Sequence, residues 1–286
     1  MDNAYHSNNQ TIIDLIKQAQ QTRAPIDSQM LLSCGEPTKN RTVVIHEGGQ
    51  RSLSVVCLSD THNFRAKVKP SDVPQGDILV HTGDFTNRGT EAEALEFIKI
   101  FNAFPHTHKL LIAGNHDAWF DTKTREEVQA LLNPNCHYLL DSMVEIEGIR
   151  FYGTPWTNSG PAFGENEDVL KAIYDKIPEN IDILLTHNPP LHIVDLAWVR
   201  QPVAATNKYA CPTCGGSHSS NYTHWGSPSL KNRVLQIKPK VHQFGHVHDG
   251  APSVEQIPGI PTLFVNAAID LARLARQIPV YNCIVE

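Results

Sequence analysis

Short apolar runs that stop at polar clusters set the hydrophobic pattern of the chain from residue 42 onwards. Five of these runs have the pattern of buried strands: Leu53–Ser59, Asp77–His81, Lys109–Ile112, Ile181–Leu185 and Val241–Phe244. Continuous apolar runs of about four to eight residues are typical of strands covered on both faces, as in layered α/β domains. The sequence therefore predicts an α/β fold built on buried strands.

Helical spacing and weaker strand patterns fill the intervals between these runs. Helices are predicted over Thr90–Asn102, with Thr90 as its N-cap, and over Lys123–Leu132, Asp168–Lys176 and Pro228–Gln236. Strands are predicted at Thr42–Ile45, joined to the next strand by a Gly48-Gly49 turn, at a hairpin of Val144–Ile146 and Ile149–Gly153, and at Thr262–Val265 and Val280–Val285. This regular pattern indicates one domain over residues 41–286, with a polar loop insertion at about 199–227.

Residues 1–40 lack the strand pattern of the rest of the chain. Thr11–Gln20 carries aliphatic residues near helical spacing, which predicts a short amphipathic helix. Thr22–Thr38 is irregular and contains two prolines and a glycine. We expect this N-terminal extension to pack on the domain or to be partly disordered.

Composition narrows the class of protein. The 286 residues are 41% hydrophobic and 19% charged, and the net charge of −6 argues against a basic surface for duplex nucleic acid. No segment reaches the roughly 20 apolar residues that a membrane span requires, and Met1–Gln10 is too polar for a secretory signal. Six cysteines do not suggest a disulfide framework. We therefore expect a soluble protein of a reducing, cytoplasmic compartment.

Side chains that can bind metal follow each of the five buried runs. The set contains two carboxylates, one amide and five imidazoles: Asp60, His62, Asp84, Asn115, His116, His187, His246 and His248. Open α/β sheets bind ligands where their strands end, and imidazole together with carboxylate suits divalent Zn, Mn, Fe and Ni. Because the set exceeds the four ligands of a single zinc, we expect two ions bridged by one carboxylate and one hydroxide.

The spacing of these residues predicts how some of their side chains are arranged around the metals. Asp84 stands alone on its loop and is the candidate for the shared carboxylate. Alternate residues of an extended segment point the same way, so Asp60 with His62, and His246 with His248, are each expected to converge on one centre. A phosphoryl group attacked at such a centre also needs a proton for its leaving oxygen, which a histidine outside the metal shell can supply.

The order and spacing of these motifs resemble a known superfamily. Asp-x-His at Asp60, Gly-Asp at Gly83, Gly-Asn-His-Asp at Gly114, a later His187 and Gly-His-x-His at Gly245 are similar to the calcineurin-like metallophosphoesterases. The resemblance covers about Leu53 to Glu286. The strings GDILVHTGDFT, IAGNHD, YGTPW, THNPPL and FGHVH resemble the metallophosphoesterase-domain-containing branch in particular.

The resemblance implies a fold and a role for each residue. The fold would be an αββα four-layer sandwich, two central sheets flanked by helices, with the site at the strand ends. The implied ligands are Asp60, His62 and His248 for the first metal, Asp84 as the bridge, and Asn115, His187 and His246 for the second. His116 would be the general acid or a phosphate contact. The two ions would be divalent, among Mn²⁺, Zn²⁺, Fe²⁺ and Mg²⁺.

One departure bears on the substrate. In the protein Ser/Thr phosphatase branch the Gly-Asp loop continues to Asp-Arg-Gly, whereas this chain has Asn87-Arg88-Gly89. The side chain of Asn87 cannot stabilise a protonated His116 as a carboxylate would, which argues against a protein phosphatase. Arg88 and Asn63 remain candidate phosphate contacts, although an exposed arginine and a loop asparagine more often have no such role.

Other histidines and cysteines have competing interpretations. His81 is interpreted as a core histidine, and His106 and His108 as solvent-facing. Cys211 and Cys214 have the spacing of a zinc knuckle, with His218 and His224 as possible further ligands, but a redox pair or incidental cysteines in a flexible insertion are alternatives. The flanking aromatics Trp198, Tyr209, Tyr222 and Trp225 either line a substrate base or pack.

The sequence and the resemblance together indicate a dinuclear-metal phosphoesterase. The favoured reading is a phosphodiesterase that hydrolyses small nucleotides or cyclic nucleotides by attack of a metal-bridged hydroxide, with His116 as the general acid. A phosphomonoesterase on the same site and a non-catalytic protein-binding scaffold on the same fold are the alternatives. Neither a membrane nor duplex nucleic acid is an expected partner.

Overall fold

Two six-stranded sheets form across residues 41–63, 70–200, 221–269 and 278–285, which the computed structural model describes. The first sheet has the spatial order β1 (Arg41–Val44), β14 (Val280–Val285), β2 (Arg51–Leu58), β3 (Ile78–Thr82), β4 (His108–Ile112) and β5 (Cys136–Tyr138). The second has the order β12 (Ser253–Gln256), β13 (Leu263–Asn266), β11 (Val241–Phe244), β8 (Ile183–Thr186), β7 (Ile149–Thr154) and β6 (Ser142–Ile146). A separate antiparallel pair consists of β9 (Leu196–Trp198) and β10 (Tyr222–His224).

Parallel pairing brings the metal-binding motifs to one end of each sheet. Strands β2, β3 and β4 are parallel neighbours in the first sheet, and β8 and β11 are parallel neighbours in the second. Each of these five strands is followed by one of the polar clusters identified in the sequence. The carboxyl ends of the strands therefore collect the candidate ligands from both sheets.

The predicted four-layer αββα sandwich is confirmed by how the strands are buried. Val55 and Cys57 of β2 pack between the sheets against residues such as Ile183 and Val265, whereas Val56 and Leu58 face the helices on the outer side. Both faces of the second half of β2 are thus covered, which is why Val55–Leu58 is continuously apolar. The outer face of the second sheet packs in the same way on the helices that cover it.

The helices begin where the sequence places N-caps. Among the described residues they are α1 (Glu91–Asn102), α2 (Ala118–Asp121), α3 (Arg125–Gln129), α4 (Glu167–Tyr174) and α5 (Pro228–Ile237), with a short 3₁₀ turn at Pro70–Asp72. Thr90 closes a capping box with Glu93 at the start of α1, and Thr124 does the same with Glu127 at α3. Predicted helix Lys123–Leu132 is shorter in the structure because Thr124 is the cap and lies outside the helix.

The predicted turn at Gly48-Gly49 joins β1 to β2, but the two strands do not pair, because β14 lies between them and pairs with both. Two interpretations of histidines are corrected by the fold. His106 is buried and not solvent-facing, and its Nε2 lies 3.0 Å from the carbonyl oxygen of Pro74. His108 is half-buried and pairs with Glu147 at 3.3 Å rather than facing solvent freely. His81 is fully buried, as predicted.

Some predictions fall outside the described residues. These are the N-terminal extension with its helix at Thr11–Gln20, and the positions of Cys211, Cys214, His218 and Tyr209. Among the described residues, no helix combines the length and the apolar character that crossing a membrane would require.

A candidate dinuclear metal centre

The loops that follow β2, β3 and β11 reach the centre through left-handed backbone turns. Asp60, His62, Asp84 and His246 all have positive φ, between 35° and 68°. The expectation that Asp60 and His62 alternate on an extended segment is therefore wrong, and the same holds for His246. Side chains other than glycine adopt this conformation at a cost of about 1–3 kcal/mol each, and such strain is concentrated at functional sites.

The first group of candidate ligands is Asp60, His62 and His248, whose ligand atoms lie within 4.8 Å of one another. His248 Nε2 lies 3.1 Å from Asp60 Oδ1 and 3.4 Å from His62 Nε2. Two nitrogens bound to one zinc at a tetrahedral angle are about 3.4 Å apart. The spacing of these side chains therefore suits a shared cation.

Backbone hydrogen bonds fix the orientation of this first group. The other carboxylate oxygen of Asp60 accepts a hydrogen bond from the main-chain N–H of His246, at 2.9 Å. His62 Nδ1 lies 3.3 Å from the carbonyl oxygen of Thr86, so Nδ1 is the donor and Nε2 is left to bind a metal. A hydrogen bond from the distal nitrogen to a carbonyl is the usual support of a metal-binding histidine.

Asp84 lies between the two groups of candidate ligands. Its Oδ2 lies 3.9 Å from His62 Nε2 and its Oδ1 lies 3.4 Å from His187 Nε2. Burial would raise the pKa of Asp84, but the charge and hydrogen bond of His187 lower it below its usual value. An ionised carboxylate with one oxygen toward each group has the position of a bridging ligand.

The second group contains Asp84, His187 and His246, with the amide of Asn115 at its centre. Asn115 Oδ1 lies 3.0 Å from His187 Nε2 and 2.9 Å from His246 Nδ1. His187 Nδ1 donates to the carbonyl oxygen of Thr82 at 2.8 Å, which leaves Nε2 to face the centre. All four side chains are buried.

His116 lies beside the centre and, like His62 and His187, is oriented by a main-chain carbonyl. Its Nδ1 donates to the carbonyl oxygen of Asn87 at 2.9 Å, and its ring is edge-on to His62 with the centroids 4.8 Å apart. His116, His62 and Asp84 also present ligand atoms within 4.8 Å of one another. The main chain of Asn87 thus orients His116, a contact that the identity of side chain 87 does not reveal.

Asp117 joins two loops of the centre, a role the sequence did not assign. Its carboxylate accepts four hydrogen bonds, from the main-chain N–H groups of Asp84, Gly114 and Thr86 at 2.8–2.9 Å and from the Thr86 hydroxyl at 2.7 Å. Burial and the charge of Asp84 raise the pKa of Asp117, while the hydrogen bonds favour its ionised form. A carboxylate can accept all four of these hydrogen bonds, which explains why an acid follows His116 here.

The two candidate phosphate contacts lie on loops tied to Glu93. Asn63 Nδ2 donates to Glu93 Oε1 at 3.1 Å, and the N–H of Arg88 donates to Glu93 Oε2 at 2.9 Å. The amide of Asn63 is therefore engaged with helix α1. Arg88 is exposed on the loop that carries Asp84, and its role as a phosphate contact stays a prediction.

A rim of uncharged side chains lies against the second group. Ser159 Oγ lies 3.3 Å from His246 Nε2, and the indole ring of Trp225 lies 5.3 Å from the His246 ring, centroid to centroid. Gly160 has φ +113°, and a Cβ at this position would lie 2.4 Å from the Cβ of Asn115. Glycine is therefore required where this loop passes over the centre.

The donor set fits two divalent cations. Two buried carboxylates, four imidazoles and one amide converge, and burying the two negative charges without a cation would be costly. The residues that would hold the ions are Asp60, His62 and His248 on one side, Asn115, His187 and His246 on the other, and Asp84 between them. The loop that carries Asp84 orients both His62 and His116, through the carbonyls of Thr86 and Asn87.

Comparison with known proteins gives a consistent family. A model of the calcineurin-like phosphoesterase family matches residues 53–250. Metallophosphoesterase domain-containing protein 1 of Homo sapiens is 34% identical over 221 residues, which cover 68% of this chain and 60% of that relative. The chain thus spans less than two thirds of the length of this relative. UPF0046 protein C25E10.12 of Caenorhabditis elegans is 35% identical over 242 residues, covering 77% of this chain and 76% of that protein.

The fold comparison agrees with the sequence comparison. A solved crystal structure superposes with a TM-score of 0.54 at 14% identity, covering 76% of this chain and 91% of that one. At this identity the likeness concerns the fold alone. The family match spans the region that carries all five ligand loops. The chain belongs to the calcineurin-like phosphoesterase family.

Proposed function

We propose that this chain is a dinuclear-metal phosphodiesterase that hydrolyses small nucleotide or cyclic-nucleotide phosphodiesters. The observation that carries the proposal is the placement of Asp84 between two groups of candidate metal ligands, with His116 beside them. Family membership supports a phosphoester hydrolase. The preference for a diester is a further inference, which rests on the side chains around the site.

The chemistry divides between the ions and the side chains. When bound, two divalent ions supply hydroxide near neutral pH and neutralise phosphoryl oxygens. Asp84 keeps the two ligand groups in register, and Asn115 and His187 close the buried side of the site so that the phosphoryl group enters from the half-exposed side of His116 and His248.

His116 is assigned to proton transfer. The hydrogen bond from its Nδ1 to the carbonyl of Asn87 leaves Nε2 to donate a proton to the leaving oxygen. The ring lies 4.8 Å from that of His62, so it is next to the centre without being enclosed by it. Loss of the proton donor would leave an alkoxide as the leaving group, which is slow to depart.

The rim supports a diester over a monoester. A monoester dianion requires additional positive charge at its oxygens, whereas a diester carries one negative charge and a second organic substituent. Ser159 and Trp225, the rim residues that lie against His246, are uncharged. They suit an organic substituent better than an anionic oxygen.

Parallel assays test the proposal. The purified chain is loaded with Mn²⁺ or Zn²⁺, its metal content is measured, and hydrolysis of an aryl phosphodiester is compared with that of the corresponding monoester. We expect about two metals per chain and a higher kcat/KM for the diester. Preference for the monoester would contradict the diesterase assignment, and fewer than one metal per chain would favour a non-catalytic scaffold.

Two variants test the roles within the site. His116→Ala is expected to keep its metals and lose about 10²- to 10⁴-fold in kcat, because it removes only the proton donor. Asp84→Ala should lose both metals and activity. Asn87→Ala is the matched control, since it retains the carbonyl that orients His116 and should stay within about threefold of the parent. Full activity of His116→Ala on an alkyl phosphodiester, whose leaving alkoxide needs the proton, would refute the acid assignment.

A further inference from the structure

Trp225 is a large aromatic side chain held at the edge of the candidate metal centre. Its ring lies 5.3 Å from the ring of His246 at an angle of 42°, yet the residue keeps 36% of its surface exposed. A tryptophan that only filled the core would be covered further. One face of this indole is thus next to a candidate ligand while the residue remains open to solvent.

The backbone that carries Trp225 is fixed on both sides. Its N–H donates to the carbonyl oxygen of Asp195 at 2.9 Å, and its own carbonyl accepts a hydrogen bond from Asn158 Nδ2 at 3.0 Å. The next residue, Gly226, donates to Asp195 Oδ2 and passes so close to Leu191 that a Cβ there would lie 2.6 Å from its Cα. The exposed ring therefore sits on a rigid support, which reduces the entropy lost when a ligand stacks on it.

The surroundings of the ring favour a flat, uncharged ligand group. Asn158 bonds to the main chain of Trp225, and Ser159 bonds to the same histidine that the indole contacts. These neighbours are neutral, so they offer hydrogen bonds but no charge for an anionic substituent. Stacking of a base on an aromatic side chain contributes about 1–3 kcal/mol.

From this arrangement we infer that Trp225 is a specificity-determining residue that stacks a planar aromatic ester group, such as a nucleobase, of a phosphate bound at the second ligand group. The inference rests on the proposed function in one respect: the phosphate must bind at this metal centre. It goes beyond it by naming the residue that selects the organic part of the ester.

A pair of ligands that differ only in the base tests the inference. AMP and ribose 5-phosphate share the sugar and the phosphate, so their relative affinity isolates the base. Binding of each to the Mn²⁺-loaded chain is measured by calorimetry, which does not require turnover. We expect the parent to prefer AMP by at least about tenfold, which corresponds to about 1.4 kcal/mol.

Three variants connect this preference to Trp225. Trp225→Ala should lose most of the preference while its affinity for ribose 5-phosphate stays within about threefold, and Trp225→Phe should restore part of it. Trp198→Ala is the matched control, because Trp198 is 50% exposed on the neighbouring strand β9 and its main chain bonds to Asp249. It should behave as the parent.

The outcomes separate the inference from the proposed function. A parent with no preference for AMP, or a Trp225→Ala variant that keeps the preference, overturns the role of Trp225. Equal loss of both ligands in Trp225→Ala also overturns it, because that pattern indicates a collapsed site. A chain that binds AMP through Trp225 but hydrolyses no diester would refute the proposed function and leave the stacking role intact.

Discussion

At the scale of single residues, the side chain of Asp117 holds two loops of the candidate centre together. Its two carboxylate oxygens receive four donors from the loops that carry Asp84 and Asn115. An asparagine is nearly the same size but presents two N–H donors where only acceptors fit. This single change therefore separates the hydrogen-bonding role of Asp117 from its packing.

We predict that Asp117→Asn destabilises the protein and weakens metal binding. Each buried donor left without an acceptor costs about 1–3 kcal/mol, so a loss of that order in the free energy of unfolding is expected. Chemical denaturation and metal content are the measurements. Asp121→Asn is the control, because Asp121 is exposed and accepts one long hydrogen bond, 3.3 Å from the N–H of Phe163. Equal behaviour of the two variants would contradict the prediction.

The residues of the candidate site could be predicted from the sequence, but the backbone conformation that brings their side chains together could not. Among the described residues, the motifs contain every member of the three groups whose potential ligand atoms lie within 4.8 Å of one another. The positive φ of Asp60, His62 and His246 was not predictable, because local sequence favours extended or helical backbone for these residue types and only the packed loops impose the left-handed turn. The orienting carbonyls of Thr82, Thr86 and Asn87 belong to the main chain, which carries no sequence signal.

At the scale of elements, the start of helix α1 connects the fold to the site. Glu93 completes the capping box with Thr90, and its carboxylate also accepts hydrogen bonds from the N–H of Arg88 and from Asn63 Nδ2. One side chain thus joins the helix to the loops after β2 and β3. Helix α3 carries the same capping box, Thr124 with Glu127, but the described hydrogen bonds of Glu127 join it to Thr124 and not to the candidate metal centre.

The two capping boxes form a matched pair for a prediction. Glu93→Ala and Glu127→Ala each remove a reciprocal cap, and each should lower the free energy of unfolding. Glu93→Ala should in addition weaken metal binding, because it releases the Asn63 and Arg88 contacts. Thermal denaturation and metal titration of both variants give the comparison. Unchanged metal affinity in Glu93→Ala would show that α1 does not support the loops.

Element types followed from the sequence more reliably than their pairing. The hairpin of β6 and β7, the helix capped by Thr90 and the helix that begins at Pro228 were predicted correctly, since their caps and turns are local signals. The pairing of β1 was not, because its partner β14 lies at the other end of the chain and no local pattern reports a contact at that separation. Strand β5 was missed because three residues are too short to show a period.

At the scale of the whole molecule, the protonation of His187 in the metal-free centre should make the stability of the protein depend on pH. Burial alone would lower the pKa of His187, but the charge and hydrogen bond of Asp84 raise this pKa to about 10. The native state then keeps a proton on His187 that the unfolded chain releases above its ordinary pKa of about 6.5. The stability contributed by this pair is fully present below about pH 6.5 and is lost as the pH rises toward 10.

We predict that the metal-free protein loses stability between pH 7.5 and pH 9. The contribution of His187 should fall by about 1.4 kcal/mol per pH unit in this window. Urea denaturation at several pH values measures the slope for the parent and for His187→Asn, in which the titrating group is absent. Identical slopes in the two proteins would contradict the assignment. Metal loading should flatten the parent's slope, because bound His187 is already deprotonated.

The distribution of the ligands over both sheets also bears on how the molecule is made. Asp60 and His248 lie 188 positions apart in the chain, yet Asp60 Oδ1 lies 3.1 Å from His248 Nε2. During synthesis the loops from the first sheet therefore emerge long before their partners, and a ribosome-bound chain that ends before His246 lacks one candidate ligand of each group. We expect both groups to be complete only after the two sheets have docked, so a shorter chain would offer the cell's metal pool neither group in full.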